Sequence, residues 1–149
     1  MTEKLTDAFR ERLARSVVQN STLDYSDVLR ALKDADHDTD HVELDRGDWI
    51  LLTDARADEM ACDYIDESLW AFNPSFLSGL TGLDTVVFKR LSDLCEGAND
   101  AIRSIVNATC GIEKLQDAII SADGRGHFLN SYDGEEIDLI GGWYLIRVN

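Results

Sequence analysis

Apolar residues near the start of the chain recur at four-residue steps: Leu5, Phe9, Leu13 and Val17, with Ala8 beside them. That period places them on one helical face and predicts a helix over residues 2–18. A turn at Gln19-Asn20-Ser21 closes it, and Asp24 or Ser26 can cap a second helix carrying Val28, Leu29 and Leu32. Residues 34–48 hold seven acids and little apolar content, so they read as an exposed loop. Trp49-Ile-Leu-Leu52 then returns the chain to a core. Thr53 or Asp54 caps a long third helix, expected from about residue 55 to 72 and ended by Pro74.

Beyond it, glycines at 79, 82, 97 and 111 divide short helices expected at 75–79, 84–96, 99–109 and 112–121. After Ala122 the pattern changes, with turn signals at Asp123-Gly-Arg-Gly126 and Tyr132-Asp-Gly134. Residues 137–140 and 143–148 are β-branched and aromatic, and Gly141-Gly142 between them predicts a hairpin. The expected fold is therefore mainly α: one compact helical domain over residues 1–149 with a small C-terminal β-hairpin.

Charge changes this picture most. The 149-residue chain has a net charge of −15. Residues 1–20 sum to +1, residues 21–70 to −11 and residues 71–149 to −5. The imbalance is concentrated in one third of the chain, and general solubility is the plainest explanation for it. A hydrophobic fraction of 44% argues against disorder. No run of 18 apolar residues is present, and the first 15 residues lack the apolar core of a signal peptide. A cytosolic site of action is expected. Cys62, Cys95 and Cys110 form no C-x-x-C pair, and each is read as a small buried apolar residue.

Two acidic stretches are candidate contact surfaces. On the third helix, Glu59, Asp63, Asp66 and Glu67 fall on one face, opposite Ala61, Tyr64, Ile65, Leu69 and Phe72. Four carboxylates over eight residue steps span about 12 Å, or roughly 3 Å per charge, close to the ~3.4 Å per phosphate of one DNA strand. No lysine or arginine is expected on that face, so an ordinary solvated helix and a nucleic-acid mimic both fit. The loop supplies Asp34, Asp36, Asp38 and Asp40. These take positions 1, 3, 5 and 7 of a calcium loop, but Thr39 stands where glycine is needed and Asp45 where glutamate is needed. His37 and His41 would face one another only on a helix. The loop is read as acidic surface, with a metal-binding loop at 34–45 as the alternative.

Asp123, Arg125, His127, Tyr132 and Asp133 lie within eleven residues. A histidine among carboxylates can act as a general base, so a small hydrolase using Asp123, His127 and Asp133 is an alternative reading. No nucleophile elbow, zinc-protease helix or phosphate loop accompanies them, and a tight connection built from Asp and Gly turn chemistry is the simpler reading. An enzyme is not expected, and neither is a cofactor. Trp70, Phe72, Phe76 and Leu77 around Pro74 are read as core, with a homodimer interface as the alternative.

The string ISADGRGHFLNSYDGEE at 120–136, with the ending WYLIRVN, resembles a C-terminal signature of small acidic proteins encoded by phages and mobile elements. DRGDW at 45–49 and DESLWAFNPSFL at 66–77 are compatible with that group. The resemblance covers about 30 residues directly and implies a genomic setting rather than a catalytic residue. In that setting, acidic proteins include anti-CRISPR and antirestriction inhibitors, which block basic grooves of host defence proteins. The expected function is thus an inhibitor in the host cytosol that binds a basic nucleic-acid-binding surface, not nucleic acid itself. A phage accessory protein acting through oligomerisation is the remaining alternative.

Overall fold

The computed structural model describes residues 5–34, 41–44 and 47–149 and is mainly α with a small antiparallel sheet. The chain forms two compact units: residues up to 59 together with 125–149, and residues 60–124.

In the first unit, α1 (Asp7–Gln19) is capped by Thr6, whose hydroxyl accepts from Phe9 N at 3.2 Å. Of its predicted stripe, Phe9, Leu13 and Val17 are buried and are joined by Ala14, all at most 2% exposed, whereas Leu5 is half-buried ahead of the helix and Ala8 is exposed. Asp24 caps α2 (Tyr25–Asp34) by accepting from Ser26 N at 2.9 Å, and Val28 and Leu32 pack against α1's stripe. The sheet runs β1-β2-β4-β3, with every neighbouring pair antiparallel. β2 (Gly47–Thr53) and β4 (Trp143–Arg147) form its centre, with Leu51 opposite Leu145 and Ile50 opposite Ile146. Ile50, Leu51 and Leu52 are buried in succession, so both faces of this strand are covered.

A C-terminal hairpin forms, but its first strand is shorter than expected and its connection is a 3₁₀ turn, Ile140–Gly142, rather than the two-residue turn expected of the paired glycines. β3 is Ile137–Asp138, and Gly141 and Gly142 take φ of 69° and 76° in the connection, where other residues would be strained. One part of the predicted 34–48 loop is corrected. β1 (His41–Leu44) pairs with β2, and Val42 and Leu44 are buried. Their period-2 alternation is a strand signal that the surrounding acids obscured. The turn signal at 123–126 is also only partly met, because Arg125–Leu129 forms a short helix, α8.

Thr53 caps α3 (Asp54–Glu67) by accepting from Arg56 N at 3.2 Å. The helix ends at Glu67 rather than Phe72. A separate 3₁₀ turn, Leu69–Ala71, follows before Asn73 and Pro74 start α4 (Pro74–Thr81). The cause is long-range: Asn99 donates to the Glu67 carbonyl and accepts from Trp70 N at 3.0 Å, satisfying groups that a continued helix would have paired.

The second unit continues with α5 (Thr85–Ser92), capped by Asp84, then α6 (Asn99–Ala108) and α7 (Ile112–Asp123). Ala61, Ile65, Leu69, Leu77, Phe88, Ile102, Val106 and Leu115 are fully buried. No cysteine forms a disulfide and none is fully buried as expected: Cys62 and Cys110 are half-buried, and Cys95 is exposed. It opens a 3₁₀ turn with φ of 50°, a left-handed position at the surface.

Candidate functional site

Three of the four predicted acids on α3 are exposed: Glu59, Asp63 and Glu67. The face is not free of cations, however. Arg56 Nη1 lies 2.7 Å from Glu59 Oε2, an i,i+3 pair that the sequence reading overlooked. Asp66 is half-buried and accepts from Gln116 Nε2 at 2.9 Å, while its carbonyl accepts from Arg103 at 2.7 Å. Asp66 therefore helps to hold the second unit together. Asp63 and Glu67 form no ion pair among the described residues. With Asp66 withdrawn, the remaining carboxylates step by four residues, about 6 Å of helix, sparser than the ~3.4 Å of a DNA strand. Asp34 ends α2 and is exposed. Asp36, Asp38 and Asp40 lie outside the described residues, as do His37 and most of the candidate calcium loop.

The second unit brings Glu67 together with acids about 30 positions away along the chain. Glu67, Ser68, Trp70, Glu96, Asn99, Asp100 and Arg103 line an open cleft of about 480 Å³. Its wall is set by Asn99, which ties the end of α3 to the start of α6. Asp100 lies 2.9 Å from Arg103 Nη1, but its side chain is almost wholly exposed. Glu96 has no ion-pair partner among the described residues and stands on the exposed 3₁₀ turn before α6. Three carboxylates and an indole around one opening suit a cationic side chain, through charge and through the aromatic face.

The residues singled out at 123–136 behave differently. Asp123 ends α7 in the second unit and is exposed. His127 is exposed on α8, with its ring edge-on to Phe128 at 5.0 Å between centroids. Asp133 is held in a turn: its Oδ1 accepts from Asn130 Nδ2 at 2.7 Å and from Glu135 N at 3.0 Å. Asn130, itself buried, accepts from Tyr132 N and Asp133 N and donates to the Glu135 carbonyl at 2.6 Å. Gly126 packs so closely on the Gly134 carbonyl that a Cβ there would collide with it.

Arg125 is the centre of this segment and was not singled out for that role by its sequence context. Its side chain is 11% exposed. Nη1 lies 2.7 Å from Asp54 Oδ1 and 3.1 Å from Asp58 Oδ1, Nη2 lies 2.5 Å from Glu136 Oε1, and the guanidinium covers the Tyr144 ring at 4.7 Å. Burial works against the charge, but hydrogen bonds to Glu136, Asp54 and Asp58 outweigh it, so the pKa is raised above the usual arginine value. Asp54 and Asp58 lie 71 and 67 positions away in sequence, which hides the cluster from any local reading. The one local signal was a lone arginine in a segment otherwise rich in acids and glycine.

Among the described residues, no group of three or more His, Cys, Asp or Glu side chains could hold a metal ion, and no helix is long and apolar enough to cross a membrane. No family model matches the chain, and no curated protein or solved structure matches it either.

Proposed function

We propose that this is a non-catalytic binding protein that engages a basic protein surface through the acidic cleft at the end of α3. The observation that carries the reading is the grouping of Glu67, Glu96 and Asp100 around Trp70 in one open cleft. Asp63 extends the same charge along α3, one helical turn before Glu67. A lysine or arginine of the partner would enter the cleft, its charge met by carboxylates and its face or stem by the indole. The Asp-rich stretch at 34–40 adds charge to the chain's acidic third, and the net charge of −15 would steer a basic partner over longer distances.

Surfaces of that kind are built to hold nucleic acid, and the resemblance of the 120–136 string to phage and mobile-element proteins suggests where one would be met. The particular reading is an inhibitor of a host defence protein, of anti-CRISPR or antirestriction type, acting in the host cytosol. The carboxylate spacing along α3 favours general charge complementarity over a phosphate-by-phosphate copy of DNA.

Titration against an arginine-rich peptide and against duplex DNA, at low and high salt, tests the proposal. Binding to the peptide that weakens with salt, with none to DNA, is expected. Replacing Asp63→Asn, Glu67→Gln and Glu96→Gln together should abolish most of it. Peptide binding unchanged by that triple variant would remove the cleft from the mechanism. Recovery of host proteins on the wild-type chain, but not on the variant, would then identify the partner.

A further inference from the structure

The aromatic and aliphatic residues around Pro74 meet different fates in the fold. Leu77 is fully buried, Trp70 lines the acidic cleft, and Phe72 and Phe76 are only half-buried. Periodicity alone sets Phe72 on the apolar face of α3. Because that helix stops at Glu67, Phe72 instead lies in extended backbone, with φ of −73° and ψ of 152°, just before Asn73 caps α4. Phe72 and Phe76 become two walls of a second cavity, of about 220 Å³, which shares no lining residue with the acidic cleft.

The end of α7 completes this cavity. Ile119, Ala122 and Asp123 stand at positions i, i+3 and i+4 and so share one face of that helix. Ile119 is 2% exposed, whereas Ala122 and Asp123 are exposed, so the cavity is apolar at depth and anionic at its rim. Asp123 forms no ion pair among the described residues, and no basic residue stands in the last turn of α7. The negative end of the helix dipole adds to its charge. Asn73, the other polar residue of the rim, uses its side-chain oxygen to accept from Ser75 N at 2.8 Å.

Depth and rim together define the chemistry of an occupant. The space exceeds the ~150 Å³ that suffices for benzene, and two phenyl walls favour an aromatic ring by edge-to-face or offset contact. A bare ammonium would lose its hydration at the apolar end, so a positive charge has to stay at the rim. A lysine side chain enters tip first on a thin stem, and cannot fill the depth while leaving its ammonium at Asp123. A ring with an ammonium a short alkyl chain away does both.

We infer that this cavity binds a protonated arylalkylamine, its ring between Phe72 and Phe76 and its ammonium against Asp123. The site does not depend on the function proposed for the acidic cleft. A small ligand with one exposed carboxylate partner gives a dissociation constant on the order of 0.1–1 mM.

Calorimetric titration of the whole protein with phenethylamine, near neutral pH, tests the inference, and saturable binding is expected. Phenethyl alcohol, which keeps the ring and lacks the charge, should bind about three- to fivefold more weakly. Butylamine, which keeps the charge and lacks the ring, should bind at least about tenfold more weakly. Asp123→Asn should bring phenethylamine to the level of phenethyl alcohol and leave the alcohol unchanged. Ala122→Phe should abolish binding of both by filling the cavity. Both positions are exposed, so both variants should keep the wild-type circular dichroism. Butylamine binding as tightly as phenethylamine, indifference to either variant, or no binding below about 10 mM would overturn the inference. The acidic cleft also sets an aromatic ring beside carboxylates, so the triple variant Asp63→Asn, Glu67→Gln and Glu96→Gln is the control. Phenethylamine binding should survive it. Loss there would place the amine in the cleft and overturn this inference alone. An arginine-rich peptide that fails to bind while phenethylamine binds would overturn the proposed function alone.

Discussion

The carboxylates around Arg125 and those around the α3 cleft have the same chemistry and opposite situations. Asp54, Asp58 and Glu136 converge on a guanidinium that is nearly buried. Glu67 and Glu96 converge on an open cleft whose lining arginine, Arg103, is already engaged by Asp100 and the Asp66 carbonyl. Acids of the first kind hold the first unit together, and those of the second kind remain available to something outside. Net charge alone does not separate them. The position of one arginine does.

Removing that arginine is the strongest way to break the contrast. Arg125→Ala would leave Glu136 half-buried without its partner and Asp54 and Asp58 without their shared cation. The cost should be about 3 kcal/mol, at the low end for a buried pair because both aspartates are more than half exposed. Arg125→Lys keeps the charge but loses the fork that serves three carboxylates at once, and should cost about half as much. Denaturant unfolding measures both. A loss under about 0.5 kcal/mol for the alanine variant would mean the clasp is no stronger than an ordinary surface pair. The raised pKa sets the pH range: its contribution is complete below the unfolded arginine value and fades only as pH rises through the folded one. It should therefore persist across neutral and mildly alkaline solutions.

The next largest effect should come from Asn130, which acts on the same acidic segment without carrying charge. Asn130→Ala would strip Tyr132 N, Asp133 N and the Glu135 carbonyl of their side-chain partner. A loss of about 2 kcal/mol is expected, together with faster amide exchange at residues 132–135. Stability loss without faster local exchange would show that the turn is held by other contacts.

Legibility followed sequence distance. The α1 stripe was legible because Phe9, Leu13 and Val17 sit four residues apart and need only their own helix to share a face. The place of the hairpin connection was legible, though not its 3₁₀ form, because Gly141 and Gly142 announce their own backbone geometry. The end of α3 was not, because it is fixed by Asn99, 32 residues from Glu67. Nor was the cleft, whose acids come from α3, a 3₁₀ turn and α6. β1 was lost differently: its alternation covers only Val42 and Leu44, and seven acids in the surrounding fifteen residues masked a two-residue signal. Among the predicted α3 acids, spacing put all four on one face, but only the fold shows that Gln116 draws in Asp66 and that Arg56 answers Glu59.

The smallest expected change in stability gives the sharpest contrast. Asp63→Asn and Glu67→Gln remove a like-charge i,i+4 pair from α3, and no ion pair among the described residues is lost with them. Folding should therefore be unharmed or improved by about 0.2–0.5 kcal/mol. The same pair of substitutions should weaken binding to an arginine-rich peptide at low salt, with the difference from wild type shrinking as salt rises. Acids that serve the fold lose stability when neutralised, as Arg125→Ala tests from the other side of the pair. Acids that serve a partner lose binding and leave the fold slightly more stable. If Asp63→Asn and Glu67→Gln cost stability as well, the α3 acids belong with those around Arg125, and the distinction between the two regions disappears.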